Sequence, residues 1–120
     1  MKSQIQEHKK DNEQMVSNLP GVIADLVKAQ NNFDSTAYAA CFAETAVVFD
    51  EGKTHKGKKE IKNWIEKANR IYKAVMQPLE YSANKQILKA EISGTFPGSP
   101  LVLNYQFEIK AEEIHSLKIV

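Results

Sequence analysis

From Leu19 onward the apolar residues Leu19, Val22, Ile23, Leu26, Val27 and Phe33 recur mostly at three- and four-residue steps, which predicts a helix with one buried face. Pro20 suits its first turn. Asp34 with Ser35 then offers an N-cap for a second short helix on which Tyr38, Cys41 and Phe42 share a face and which should end before Ala46. Ala46 to Phe49 is apolar and valine-rich and stops at Asp50-Glu51-Gly52, a strand entering a turn. After Gly57 comes a third helix. Ile61, Trp64, Ile65, Ala68, Ile71 and Tyr72 form its apolar stripe, and Lys59, Lys62, Asn63, Glu66 and Asn69 its polar face.

Beyond Val75 the period changes from helical to alternating: Leu79, Tyr81 and Ala83, then Leu88, Ala90, Ile92, Gly94 and Phe96, then Leu101, Leu103, Tyr105, Phe107 and Ile109. These are half-buried antiparallel strands, with Phe96-Pro97-Gly98-Ser99-Pro100 as a turn. In the last strand Ile114 and Leu117 are three apart and Leu117 and Ile119 two apart, so a β-bulge is expected near His115 and Ser116. Three helices and a curved, mostly antiparallel sheet make an α+β fold in which the helices cover one sheet face.

The 120-residue length fits one domain with a real core. Residues 1–18 are polar, with Ile5, Met15 and Val16 as their sizeable apolar side chains, and read as a mobile or weakly helical extension ahead of a single domain at 19–120. Sixteen Lys and Arg against fifteen Asp and Glu give a net charge of +1, without the basic excess of a dedicated nucleic-acid binder. The lone Cys41 excludes an intrachain disulfide. With no signal-type or membrane-spanning apolar run, the expectation is a soluble, cytoplasmic protein. Three scattered histidines with no i, i+4 pair beside a carboxylate give a metal site little support.

The order of these elements, together with CFAETAVVFDEG, HKGKKEIKNWI, SGTFPGSPLVLNYQF and the ending EEIHSLKIV, resembles the nuclear transport factor 2-like superfamily, and within it the SnoaL-like and ketosteroid-isomerase-like branch. The resemblance covers about residues 19–120. It implies a cone-shaped barrel, a cystatin-like α+β roll whose mouth opens into an apolar pocket, and a homodimer formed through the sheet. It also implies cofactor-independent isomerase, cyclase or dehydratase chemistry, with Asp50 at the position of the isomerase's general base. A gap-free count from Asp50 puts Leu26 where the isomerase has its oxyanion tyrosine, and Tyr105 where it has a protonated aspartate. The epoxide hydrolases of this fold use an Asp, Arg, Asp set, whereas Arg70 is the only arginine here. Scytalone-dehydratase-like chemistry requires His115 to turn inward beside His55.

Each candidate carries two readings. Asp50 is a base raised in pKa by apolar neighbours such as Val48 and Trp64, or a turn acid bonded to backbone amides near Gly52. Tyr105 either packs as core with its hydroxyl bonded to backbone or offers that hydroxyl to a substrate carbonyl. His55 lies in the loop after Asp50, as a solvated histidine or as a relay at the pocket mouth. Trp64, Val48, Leu26, Tyr38, Phe42 and Leu103 are expected to line the pocket, core packing coming first for Tyr38, Phe42, Phe33 and Tyr81. The lysines at 53, 56, 58, 59 and 62 form a solvated face or attract an anion. Three functions remain open: proton transfer on a small apolar carbonyl compound with Asp50 as base and Tyr105 as electrophile, a binding module for an apolar or weakly anionic ligand, and an interaction protein assembled through its sheet.

Overall fold

The computed structural model describes residues 19–120, so the expectations for residues 1–18, including His8, lie outside the described residues. The chain forms α1 (Gly21–Asn31), α2 (Ser35–Ala40), β1 (Phe42–Asp50), β2 (Lys53–Lys56), α3 (Gly57–Tyr72), β3 (Val75–Ser82), β4 (Ile87–Ser93), β5 (Leu101–Lys110) and β6 (Glu113–Ile119). The six strands make one mixed sheet in the order β2-β1-β6-β5-β4-β3, with β1 parallel to β6 and every other pair antiparallel. The sheet is open, with β2 and β3 as its edges, and the helices cover its inward face.

Pro20 is the N-cap of α1, one position outside the helix. Phe33 falls beyond the end of α1 at φ 54 and is 45 % exposed, which corrects its placement on the buried stripe. Asp34 caps α2 as expected, its carboxylate accepting from the Ala37 amide at 3.0 Å. The second helix stops at Ala40, earlier than the apolar spacing suggests, and Phe42 opens a nine-residue β1. Helical and alternating spacing cannot be separated over so short a run, and pairing of Phe42 with Ile114 decides the outcome.

Gly57, the first residue of α3 directly after β2, takes φ 83, a conformation that side-chain-bearing residues rarely adopt. The buried stripe of α3 is Ile61, Ile65 and Asn69. Asn69, read from the sequence as polar-face, is instead buried because Gln30 donates to it at 3.0 Å and to the Ala74 carbonyl at 2.8 Å. Its neighbour Asn31 exchanges hydrogen bonds with the Met76 backbone at 2.7 and 3.0 Å, tying α1 to the start of β3. Ile71 is 51 % exposed and lies off the stripe.

The alternation in β4 and β5 holds: Leu88, Ala90, Ile92, Tyr105 and Phe107 are buried. In β3 the inward residues are Met76 and Pro78, after which a bulge at Leu79 resets the register. The bulge expected in the last strand is present, since Glu108 pairs with Ser116 and Ile109 with Ile114, leaving His115 unpaired.

Candidate functional site

Register places the candidate residues. Asp50 pairs with Ile119, Ile119 with Tyr105, Tyr105 with Leu88 and Leu88 with Tyr81, a single cross-strand row from β1 to β3. Residues opposed in this way share a face, and Tyr105 and Leu88 are buried, so Asp50 emerges on the inward side. Two strand spacings separate the Asp50 and Tyr105 backbones, about 10 Å. The next row inward is His55, Val48, Leu117 and Phe107, of which Val48 and Leu117 are fully buried.

Helices close the site from above. Trp64 of α3 lies edge-on to Tyr38 of α2 at 6.1 Å between ring centroids, and Tyr38 packs on Phe42 at 5.7 Å. His55 stacks on Trp64 at 5.2 Å with 24° between the rings. His55 is therefore not in a loop. It is the half-buried residue of a short strand whose other three side chains are exposed. The sequence hides this strand because KTHK has neither an apolar run nor an apolar alternation, and β1 recruits it through the tight turn at Glu51-Gly52.

Burial raises the pKa of the half-buried Asp50 carboxyl, and the Glu51 charge adds to this; His55, the Trp64 indole N–H and the Glu51 backbone pull it back. Burial, then the charge of Asp50, raises the Tyr105 hydroxyl, so it remains a phenol and a hydrogen-bond donor at neutral pH. Tyr38 is raised in the same way, by burial first and then by Tyr105, Asp50 and Cys41. The two phenols and the carboxylate thus feel one another's charge. Among the described residues neither hydroxyl makes a side-chain hydrogen bond.

Of the other expected lining residues, Leu103 is half-buried one same-face step from Tyr105, whereas Leu26 and Phe42 are fully buried core. His115 lies on the bulge, away from the Asp50 end of β6. Arg70 occupies the last turn of α3. Among the described residues no group of three or more His, Cys, Asp and Glu gathers as a metal site would require. A groove of about 910 Å³ lies between α1, α2 and the β5–β6 turn, lined by Pro20, Asp25, Lys28, Asp34, Cys41 and Glu112 among others, and none of the candidate residues reaches it. Cys41 there is pushed up to about 11 by burial and by Asp25, so it remains a thiol, donating to the Ala37 carbonyl at 3.5 Å.

The chain matches no family model and no curated protein. Among solved structures, it is similar to a "putative polyketide cyclase" from Sinorhizobium meliloti at 36% identity and TM-score 0.82, over 88% of this chain and 98% of that one. A protein of ketosteroid isomerase-like fold from Catenulispora acidiphila, crystallised with trimethylamine, matches at 19% identity and TM-score 0.75 over 86% of each chain. A nuclear transport factor 2-like protein from Cytophaga hutchinsonii matches at 14% identity and TM-score 0.67, over 82% of this chain and 85% of that one. The latter two establish the fold alone, while the first carries identity over nearly its whole length. The chain belongs to the nuclear transport factor 2-like superfamily, in its SnoaL-like, polyketide-cyclase-like branch.

Proposed function

We propose that this protein is a cofactor-independent enzyme that moves a proton on a small apolar carbonyl compound, with Asp50 as base and the Tyr105 and Tyr38 hydroxyls as donors to the substrate oxygen. The observation that carries the reading is the cross-strand row: a half-buried carboxylate and a buried phenol share one inward row, within reach of each other's charge and without a hydrogen bond between them. Their backbones lie two strand spacings apart, about 10 Å, on either side of Ile119.

Asp50 removes the α proton. The C–H electron pair becomes the enolate double bond, and the carbonyl π pair moves to oxygen, where the phenols donate to it. Protonation of Asp50 removes the negative charge that holds both phenols weakly acidic, so they become better donors as the oxyanion forms. Return of the proton to a different carbon completes an isomerisation; attack of the enolate on a second carbonyl, whose oxygen takes up the π pair and the proton held by Asp50, completes a cyclisation. Raising the carboxyl pKa by burial favours its use as a base near neutral pH. Tyr38 takes over the helix-borne donor role that Leu26, buried in α1, cannot fill.

The test is deuterium uptake at the α carbon of β-tetralone and ethyl acetoacetate, followed by NMR. Uptake above the buffer rate that is lost in Asp50→Asn supports the assignment. Saturable binding of either ketone with no enzyme-dependent uptake reassigns the site to a binding module.

A homodimer through the outward sheet face accompanies this reading. Phe49 and Val102 are exposed there, with the polar side chains of Lys89, Glu91, Asn104, Gln106 and Glu108 on the same alternation, a mixed surface of the kind protein partners use. Light scattering of the eluting protein gives twice the chain mass if the dimer forms.

A further inference from the structure

We propose that His55 is a positioning residue for Asp50, acting through the Trp64 indole that it holds in place. The inference rests on the base assignment above and concerns how that base is oriented. Antiparallel pairing sets His55 opposite Val48, on the inward side and one same-face step from Asp50. Lys53, on the same face as His55, is exposed, as are Thr54 and Lys56, so the imidazole is the half-buried side chain of this edge strand.

The indole is bounded on one side by the His55 ring at 5.2 Å and 24°, and edge-on by the Tyr38 ring at 6.1 Å and 64°. These contacts fix its plane near the Asp50 end of β1, where the indole lowers the pKa of the carboxyl. A neighbour held in one orientation beside a carboxylate limits the reorientation that the base needs at the moment of transfer. His55 also acts on the carboxylate directly, lowering its pKa. The charged and titratable groups around the pair are Asp50 itself, Glu51 in the turn, Lys53 opposite Asp50 on β2, Tyr38 from α2 and Tyr105 from β5. Glu51 and His55 act on Asp50 with opposite sign.

The chain's single tryptophan makes this testable without substrate. A ring stacked on an indole limits its motion. His55→Gln, which removes that ring, should lower the anisotropy of Trp64 emission relative to wild type, whereas His55→Phe, which keeps a ring in the stack, should hold it. In protein labelled with ¹³C-aspartate, the Asp50 carboxyl signal should titrate at higher pH in His55→Phe and in His55→Gln than in wild type. The second variant serves if the first fails to fold. Where Asp50 is the base, the acidic limb of the exchange rate should move upward with it.

An emission anisotropy unchanged in His55→Gln, or an Asp50 titration that does not move in a folded variant, overturns the proposal. Both readouts are independent of catalysis. Unchanged exchange in Asp50→Asn would remove the base assignment while leaving the His55 coupling measurable, and unmoved spectra would remove the coupling while leaving the base.

Discussion

Replacing Tyr105 with phenylalanine deletes one oxygen from a residue whose ring is 7 % exposed and packs against Phe107 at 6.4 Å between centroids. Its effect on stability depends on what that oxygen does in the folded protein. A hydroxyl that completes a core hydrogen bond contributes about 1 kcal/mol, and its loss leaves the partner unpaired as well. Here the hydroxyl has no hydrogen-bond partner among the described residues, and the apolar packing of the ring is retained. Tyr105→Phe should therefore shift stability by less than about 0.5 kcal/mol in either direction. Catalysis should respond quite differently, because deleting one preorganised donor to a developing oxyanion lowers the rate by about 10²–10³-fold. With Tyr38 still present, the lower end is expected. Urea unfolding followed by Trp64 emission, alongside deuterium uptake by β-tetralone, measures both on one sample. A slope of about 1–3 kcal/mol per molar makes a loss of 1 kcal/mol a midpoint change of at least about 0.3 M, which is readily resolved. A clear drop in midpoint with an unchanged exchange rate would return Tyr105 to the core and refute the reasoning.

Asp50→Asn should be more stable than wild type at neutral pH. The folded carboxyl pKa is raised, so the folded state binds the proton more tightly, and wild-type stability falls as pH rises from the unfolded value, about 3.9, through the folded one. Urea midpoints for the two proteins should converge near pH 3 and separate above it, and a wild type that gains on the variant with rising pH would contradict this. Gly94→Ala sets a Cβ 2.5 Å from the Tyr72 carbonyl oxygen and 3.1 Å from the Ala74 Cα, both backbone, at the point where Thr95 bonds the end of α3. It should destabilise by about 1–3 kcal/mol in urea unfolding. Gln30→Leu removes the donor shared by Asn69 and the Ala74 carbonyl, and each acceptor left unpaired should cost about 1–3 kcal/mol by the same measurement.

How far the sequence carried these conclusions depended on whether a feature was local. Asp34 capping α2, the Asp50-Glu51-Gly52 turn, the alternation of Leu88, Ala90 and Ile92, and the bulge at His115 were all legible, because each depends on neighbours along the chain. What was hidden depended on distant pairing. β2 has no pattern of its own and exists because β1 supplies its hydrogen bonds. Asn69 looks like a surface residue until Gln30, 39 positions away, meets it. In the candidate site Asp50 was identifiable from the apolar run before it and the family resemblance, Tyr105 from alternation and Trp64 from the helical stripe, yet the row shared by Asp50 and Tyr105 follows from a register that passes through Ile119. Tyr38 was read as lining, and its place as a second phenol beside Asp50 comes from the packing of α2 against α3.

The most direct test of the central assignment is deuterium uptake at the α carbon of β-tetralone by wild type and Asp50→Asn at the same pH. Loss of a positioned general base should lower the enzyme-dependent rate by about 10²–10⁴-fold while the variant stays folded. Equal rates in the two proteins would show that Asp50, for all its place on the row with Tyr105, is not the base.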